Sequence, residues 1–221
     1  MPELSICIVT LNTRQYLSDC LESLAAHPAS VSTEIIVVDN HSTDGTQEML
    51  AQQYPQITLI QNQKNEGFTR PANQAMRAAQ GRYILLLNPD TLLQTDTLNR
   101  LVAFLDSHPV VGIVGPKVLN RDGSLQMACR RGLPRPGAML SYFLKLHRLF
   151  PRSRRFGGYL LNYLDPDATY PVDGVSGSCM LIRRATAQQV GYFDERFFAY
   201  QEDADFCFQV QRAGWQVYYH P

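Results

Sequence analysis

The sequence predicts an α/β protein with a mostly parallel sheet, helices on both faces and a smaller antiparallel portion. Short apolar runs alternate with amphipathic stretches through the first half of the chain, which indicates strands alternating with helices. Each run is apolar at nearly every position, as in strands that are buried on both faces. A length of 221 residues is sufficient for one large core.

Four strand and helix repeats make up the first half. The apolar runs predict strands at residues 4–11, 34–40, 57–62 and 82–88. Helical patterns begin after Asn12, after Ser42 or Thr43, near Phe68 and near Asp96. In the first helix one face is predicted to carry Tyr16, Leu17, Cys20, Leu21 and Leu24.

The second half is organised differently. The segments VVGIVGPKV and LQMACRR flank a turn at residues 121–123 and suggest antiparallel strands. We therefore divide one domain into halves at 1–110 and 111–221, with an insert at about 132–173. The sequence stops just after the start of another apolar run, so we expect a C-terminally truncated domain.

The insert contains an apolar run, AMLSYFLKLHRLF, followed by the basic run PRSRR. The apolar run is too short to span a bilayer. That favours an insert helix packed on the core with a solvated basic end. The alternative is a segment that lies on an anionic membrane surface.

Composition excludes several classes of protein. The 20 basic and 20 acidic side chains give no net charge, so a global basic face for nucleic acid is not expected. The five cysteines and five histidines show no metal-ligand spacing. With no signal peptide or membrane-spanning run evident, we expect a reduced, cytoplasmic protein, with peripheral contact at the inner face of the cell membrane as an open alternative.

Polar residues follow each predicted strand, at the edge where parallel sheets bind ligands. They are Thr10, Asn12, Asp39, Asn40, residues 62–67, and the Asn88-Pro89-Asp90 tripeptide. Asp39 can accept the imide N–H of uracil or thymine, and its other interpretation is a helix N-cap or turn residue. In the loop NEGFTRPANQAM, Gly67 suits a tight turn, Arg70 a phosphate and Asn73 a hydrogen bond, or the segment is only a helix entry.

Two acidic motifs suggest chemistry. Asp90, after the most apolar strand, suits Mg²⁺ or Mn²⁺ bridging a diphosphate, although a capped turn also explains the tripeptide. The run Glu202-Asp203-Ala204-Asp205 opens a helix, where the helix dipole alone favours acids. The functional interpretation is that one of these carboxylates acts as a general base toward an acceptor hydroxyl.

In order along the chain, SICIVTLN, VVDNHSTDGT, NEGFTRPANQAM, Asn88-Pro89-Asp90 and FFAYQEDADF resemble the family-two glycosyltransferases with the GT-A fold, especially their bacterial rhamnosyltransferase-like branch. The resemblance implies a Rossmann-like nucleotide-binding half and an acceptor-side antiparallel portion. It assigns the base and ribose site to Thr10, Asn12 and Asp39. It places donor contacts at Asn65, Gly67, Asn73 and Asn88.

By the same resemblance, Asp90 contacts the metal, Asp203 is the catalytic base and Glu202 orients the acceptor. Asn88 departs from the family's Asp-x-Asp motif, which leaves one carboxylate for the metal. A metal-binding histidine of the family is expected beyond Pro221.

The function implied is inverting transfer of a sugar, with rhamnose one candidate, from a UDP- or dTDP-sugar. The acceptor expected is a saccharide or lipid-linked saccharide in cell-surface polysaccharide synthesis. The alternatives are a nucleotidyltransferase and a non-catalytic nucleotide-binding domain.

Overall fold

A computed structural model describes all residues from 1 to 221. Ten strands and eight α-helices follow one another along the chain. The strands are β1 (Leu4–Thr10), β2 (Thr33–Asp39), β3 (Thr58–Gln61), β4 (Tyr83–Leu87), β5 (Val111–Gly115), β6 (Arg130–Arg131), β7 (Tyr170–Pro171), β8 (Gly174–Val175), β9 (Cys179–Arg183) and β10 (Gln216–Tyr219). The helices are α1 (Arg14–Ala26), α2 (Thr46–Gln53), α3 (Thr69–Ala78), α4 (Thr97–Ser107), α5 (Pro136–Phe143), α6 (Leu146–Leu149), α7 (Arg184–Val190) and α8 (Glu202–Arg212).

Eight strands form one sheet in the order β3-β2-β1-β4-β9-β5-β10-β7. The first four strands are parallel, as the apolar runs predict. β9 lies between β4 and β5 and is antiparallel to both, while β5 and β10 are parallel. Strands from both halves of the chain therefore share one sheet, and β6 pairs with β8 in a separate small sheet.

Alternating side chains of the central strands feed two cores. In β4, Tyr83, Leu85 and Leu87 pack with α1, α2 and α4 on one face. Ile84 and Leu86 pack with α3, α7 and α8 on the other face. This alternation follows from the two-residue period of a strand and explains why the strand is apolar throughout.

One sequence prediction about the elements is wrong and another holds in part. Tyr16 is 46% exposed, because the buried stripe of α1 is Leu17, Cys20, Leu21 and Leu24. Across the turn at residues 121–123, Leu125 of the segment LQMACRR forms an antiparallel bridge with Leu119, and the Gln126 N–H donates to the Val118 carbonyl at 2.8 Å. The rest of LQMACRR forms a 3₁₀ turn and the two-residue strand β6, while residues 111–115 join the main sheet as β5.

The insert also differs from the favoured prediction. It forms two short helices, α5 and α6, and α5 does not pack its apolar side chains on the core. Leu140 and Phe143 are 60% and 72% exposed, whereas Ser141 is buried. No helix is both long and apolar enough to cross a membrane.

Candidate functional site

The carboxyl ends of β1 and β2 lie side by side and carry Thr10 and Asp39. The two residues are paired in the strand register, and both are buried. The Thr10 hydroxyl exchanges a hydrogen bond with Thr13 at 2.8 Å. The two strands thus bring the first two predicted nucleotide-binding segments to one edge of the sheet.

One carboxylate oxygen of Asp39 stabilises a turn, and the other has no hydrogen-bond partner. Its Oδ2 atom accepts hydrogen bonds from the Ser42 backbone N–H at 3.2 Å and from the Gln47 side chain at 2.5 Å. Its Oδ1 atom is buried and has no hydrogen-bond partner. Because an unpaired buried carboxylate oxygen is costly, Oδ1 is suited to accept an N–H from a ligand.

Asn12 connects two loops at the same edge. Its backbone N–H donates to the Ser42 hydroxyl at 2.9 Å, and its Oδ1 atom accepts from the Thr43 N–H at 2.8 Å. The residue adopts a positive φ of 51°, a conformation that asparagine tolerates better than most residues. Asn12 therefore shapes the rim of the predicted nucleotide site through the loop after β2.

Asn40 organises the loop of residues 62–67, a role that sequence alone does not assign. Its Nδ2 group donates to the Asn65 side chain at 2.9 Å and to the Gly67 carbonyl at 2.7 Å. Its Oδ1 atom accepts from the Glu66 N–H at 3.1 Å. Asn65 also accepts from the Gly67 N–H at 2.9 Å, so both predicted donor residues belong to a hydrogen-bonded loop that closes on the end of β2.

The structure gives Asn73 a different role from the predicted donor contact. It is fully buried in α3 and exchanges two hydrogen bonds with the Phe193 backbone, at 2.9 and 3.0 Å. Its amide also donates to Glu195 at 3.1 Å. Because both polar atoms of the side chain are already hydrogen-bonded within the protein, a donor contact would require this clamp to open.

Arg70 is exposed, but two carboxylates already surround it. Its guanidinium lies 3.1 Å from Glu66 and 3.6 Å from Glu195. A phosphate would have to compete with these surface ion pairs, which are individually weak. The predicted phosphate contact of Arg70 stays a prediction.

Gly67 joins the loop of residues 62–67 to the loop that precedes α8. Its φ is +80°, and a Cβ atom there would lie 2.3 Å from the Phe198 carbonyl oxygen. The next residue, Phe68, donates its N–H to that oxygen at 2.8 Å. Glycine is therefore required for both its φ and the close approach of two backbones.

Replacing Gly67 with Ala is expected to lower the free energy of unfolding by about 1–3 kcal/mol more than replacing Gly123 with Ala. Gly123 is a matched control because it has the same φ of +80° with nothing within 4 Å of its Cβ position. Urea denaturation of both variants measures the difference. Equal destabilisation would show that the contact with Phe198 imposes no steric limit.

A cavity of about 590 Å³ opens beside the end of β4 and contains Asn88 and Asp90. It also exposes side chains that sequence patterns do not single out, in particular Asp19, Lys117 and Arg121. Asp19 lies on α1, and the other two lie in the loop after β5. The cavity is thus lined by two acids, four amides and two cationic side chains.

The chain has no group of three His, Cys, Asp or Glu side chains that could hold a metal ion alone. Mg²⁺ in nucleotide sites is often held by one or two carboxylates together with substrate phosphates. Asp90 and Asp19 line one cavity with Asn88, which fits such shared coordination.

Glu202 and Asp203 lie in the first turn of α8 and are almost fully buried. Asp203 accepts a hydrogen bond from the Gly177 N–H at 3.1 Å and forms an ion pair with Arg131. Burial, the largest single effect, lowers the pKa of Arg131, but the charges and hydrogen bonds of Asp203 and Tyr159 together outweigh it, and the net pKa is raised. Arg131 and Gly177 together fix the orientation of the Asp203 carboxylate.

A short backbone segment connects Asp203 to Asn88. Gly177 contacts Asp203, and the carbonyl of the next residue, Ser178, accepts the Asn88 N–H at 2.9 Å. The Thr91 hydroxyl donates to the same carbonyl at 3.3 Å. The two acidic motifs, far apart in sequence, therefore flank one turn between β8 and β9.

Glu202 has a raised pKa. Burial raises its pKa, and the neighbouring negative charge of Asp203 raises it further. Its Oε2 atom is buried without a hydrogen-bond partner. This places a second proton-accepting group next to Asp203.

The raised pKa of Glu202 predicts a pH-dependent stability. The folded state holds this proton more tightly than the unfolded state, so folding stability falls as pH rises from the ordinary value of 4.5 through the raised folded pKa. Glu202→Gln has no proton to lose, so its free energy of unfolding relative to that of the wild type should rise between acid and neutral pH. Urea denaturation at several pH values measures both. If the difference in free energy of unfolding between variant and wild type stayed constant with pH, the assignment would be contradicted.

Polar and acidic residues gathered at the carboxyl ends of parallel strands are the layout of a ligand-binding α/β protein. The sequence profile of glycosyl transferase family 2 matches residues 5–191. An N-acetylglucosaminyl-diphospho-decaprenol L-rhamnosyltransferase of Mycobacterium tuberculosis is 32% identical over 237 residues, covering 99% of this chain and 73% of that protein. The chain belongs to glycosyl transferase family 2.

Solved structures agree with this fold. A mannosyltransferase of Pyrobaculum calidifontis in complex with GDP-Man and Mn²⁺ superposes with a TM-score of 0.68 at 21% identity, covering 100% of this chain and 55% of that one. TarS residues 1–349 from Staphylococcus aureus in complex with UDP-GlcNAc gives a TM-score of 0.63 at 22% identity, covering 98% of this chain and 58% of that one. The chain thus has the GT-A fold and spans little more than half of these solved chains.

The predicted fold class and family are therefore confirmed. Membership of a glycosyltransferase family also leaves the nucleotidyltransferase alternative without support. The Glu202-Asp203 pair lies beyond the matched residues 5–191.

Proposed function

We propose that this chain forms the donor site and catalytic base of an inverting, metal-dependent glycosyltransferase. The observation that carries the proposal is the single turn between β8 and β9, whose Gly177 contacts Asp203 and whose Ser178 contacts Asn88. It brings an oriented carboxylate next to a cavity with charged groups of both signs. Direct displacement at a sugar requires the general base to lie next to the site that binds the donor.

The nucleotide occupies the ends of β1 and β2 in this proposal. The unpartnered Oδ1 atom of Asp39 accepts the imide N–H of uracil or thymine, while exposed Asn12 forms the rim and buried Thr10 lies beside Asp39 in the strand register. A base without that N–H would leave Asp39 unpaired, which costs binding free energy. This favours UDP- or dTDP-sugars as donors.

The diphosphate extends into the cavity beside β4. Lys117 and Arg121 line it and supply positive charge for phosphate oxygens. Asp90, with Asp19 and Asn88 nearby, would hold Mg²⁺ or Mn²⁺ jointly with the diphosphate. When bound, the cation neutralises the charge that develops on the departing nucleoside diphosphate.

Asp203 removes the proton from the acceptor hydroxyl as that oxygen attacks the anomeric carbon. The bond from this carbon to the diphosphate oxygen breaks as the new one forms, so the configuration inverts in one step. Arg131 and Gly177 keep the carboxylate in position, and buried Glu202 supports the acceptor side. A well-placed general base contributes roughly 10²–10⁴-fold in rate.

The acceptor is proposed to be a lipid-linked saccharide, and rhamnose one candidate sugar. The mycobacterial relative is named for transfer of L-rhamnose to N-acetylglucosaminyl-diphospho-decaprenol. That relative covers 99% of this chain, so the same acceptor chemistry is the first to test. Cell-surface polysaccharide synthesis is the proposed setting.

The proposal is tested by incubating the protein with Mn²⁺, an N-acetylglucosaminyl-diphospho-lipid and a panel of UDP-, dTDP- and GDP-sugars. We expect release of UDP or dTDP with one donor, and a product whose anomeric configuration by NMR is opposite to that of the donor. Retained configuration would contradict direct displacement. Donor binding without transfer would favour the non-catalytic alternative.

A further inference from the structure

In the helices of the insert, large apolar side chains are exposed and polar side chains are buried. In α5, Leu140 and Phe143 are 60% and 72% exposed, and Leu144, at the end of the helix, is 59% exposed. These positions follow the i, i+3, i+4 spacing of one helix face. The buried residue of the helix is Ser141, whose hydroxyl donates to the Phe156 carbonyl at 2.7 Å. The apolar stripe of α5 therefore faces away from the core.

The same inversion continues in α6. Its buried residue is His147, while Leu149 and Phe150 are 71% and 52% exposed. Isolated exposed apolar residues are common, but several large ones close together mark an interaction surface. Leu140, Phe143, Leu144, Leu149 and Phe150 are all exposed within residues 140–150, and we call them the insert patch.

The charge of the chain is segregated around the insert patch. Residues 133–164 contain six of the 20 Lys and Arg residues and none of the 20 Asp and Glu residues. The remainder of the chain is therefore acidic, although the whole is neutral. All six basic side chains are exposed, and none of them takes part in an ion pair.

Basic and apolar side chains share one surface. Phe143, Lys145 and Arg148 line the same open depression. The Phe150 ring lies 5.2 Å from the Phe156 ring, which has the Arg155 guanidinium over it. Lys and Arg beside exposed Leu and Phe are the composition of segments that lie at the surface of anionic bilayers.

We propose that the insert patch and its basic residues dock the protein on an anionic phospholipid surface. The apolar side chains enter the headgroup boundary, and the Lys and Arg side chains contact lipid phosphates. The surface begins next to the proposed acceptor side, because Leu133 and Arg135, just before α5, line a depression with Ala204 and Phe208 of α8. This orientation rests on the proposed function: it presents Asp203 to an acceptor whose diphosphate lies at the membrane.

The proposal is tested by co-sedimentation of the whole chain with phosphatidylcholine vesicles, with and without phosphatidylglycerol. We expect binding to the anionic vesicles that weakens in high salt. A triple variant with Arg152, Arg154 and Arg155 changed to Ala should bind roughly a hundredfold more weakly. A Phe143→Ser, Leu149→Ser variant should also bind more weakly at constant charge.

The matched control changes three exposed basic residues elsewhere, Lys64, Arg77 and Arg196, to Ala and should bind like the wild type. Equal loss in this control, or no loss in the insert variants, would overturn the proposal. So would absence of vesicle binding together with self-association by sedimentation velocity, since the patch would then bind a second copy. The assay needs no donor or turnover, so its failure is distinguishable from failure of the proposed glycosyl transfer.

Discussion

Asp203→Asn is expected to lower kcat by roughly 10²–10⁴-fold, the usual contribution of a general base. Asn is nearly isosteric and still offers an oxygen to Arg131 and Gly177, but it cannot take the proton of the acceptor hydroxyl. Because Asp203 does not contact the nucleotide in the proposed mechanism, donor affinity should be unchanged. Steady-state kinetics and a nucleotide titration of the same preparation measure both quantities.

Asp205→Asn is the matched control for this variant. Asp205 lies in the same first turn of α8, so the substitution removes the same charge from the same helix end. It forms no ion pair with Arg131 and accepts no hydrogen bond from Gly177. If both variants lost activity equally, the effect would come from the helix end and the base would have to be sought elsewhere, first at Glu202.

Asp39→Ala should weaken the binding of UDP or dTDP about 10–100-fold, which corresponds to about 1–3 kcal/mol for the lost acceptor of a buried hydrogen bond. The substitution should lower donor affinity and leave kcat at saturating donor nearly unchanged, because Asp39 would bind the uracil or thymine ring equally in the ground state and the transition state. Calorimetric titration gives the affinity directly.

Gln47→Ala provides the comparison. Gln47 donates to the Oδ2 atom of Asp39 at 2.5 Å, so its removal loosens the support of Asp39 without removing the free Oδ1 atom. We expect a much smaller loss of affinity than in Asp39→Ala. Equal losses would mean that Asp39 acts by shaping the loop after β2.

The sequence alone predicts the parallel half of the fold and the sheet edge that carries the candidate site. Runs such as YILLL in β4 are apolar at every position because both faces of the sheet are covered by helices. The sequence places Thr10 and Asp39 at the ends of two parallel strands. The structure adds that these strands are adjacent, and its register pairs the two residues.

Contacts between distant parts of the chain could not be read from local patterns. Arg131 and Asp203 are 72 residues apart, and only the pairing of β6 with β8 brings them together. Asn73 follows a helix entry motif, but its burial depends on the loop at Phe193, which is 120 residues away. The insert helix α5, PGAMLSYF, is apolar at most positions, and only the structure shows that its Ser141 faces inward while Leu140 and Phe143 are exposed.

The most direct test of the whole account is a calorimetric titration of the protein with UDP and with dTDP, each with and without Mn²⁺, repeated with Asp90→Ala. The account predicts that one of the two nucleotides binds, that Mn²⁺ strengthens this binding, and that Asp90→Ala removes the strengthening while leaving the metal-free affinity intact. Binding of neither nucleotide, or a Mn²⁺ effect that survives in Asp90→Ala, would contradict the assignment of the donor site.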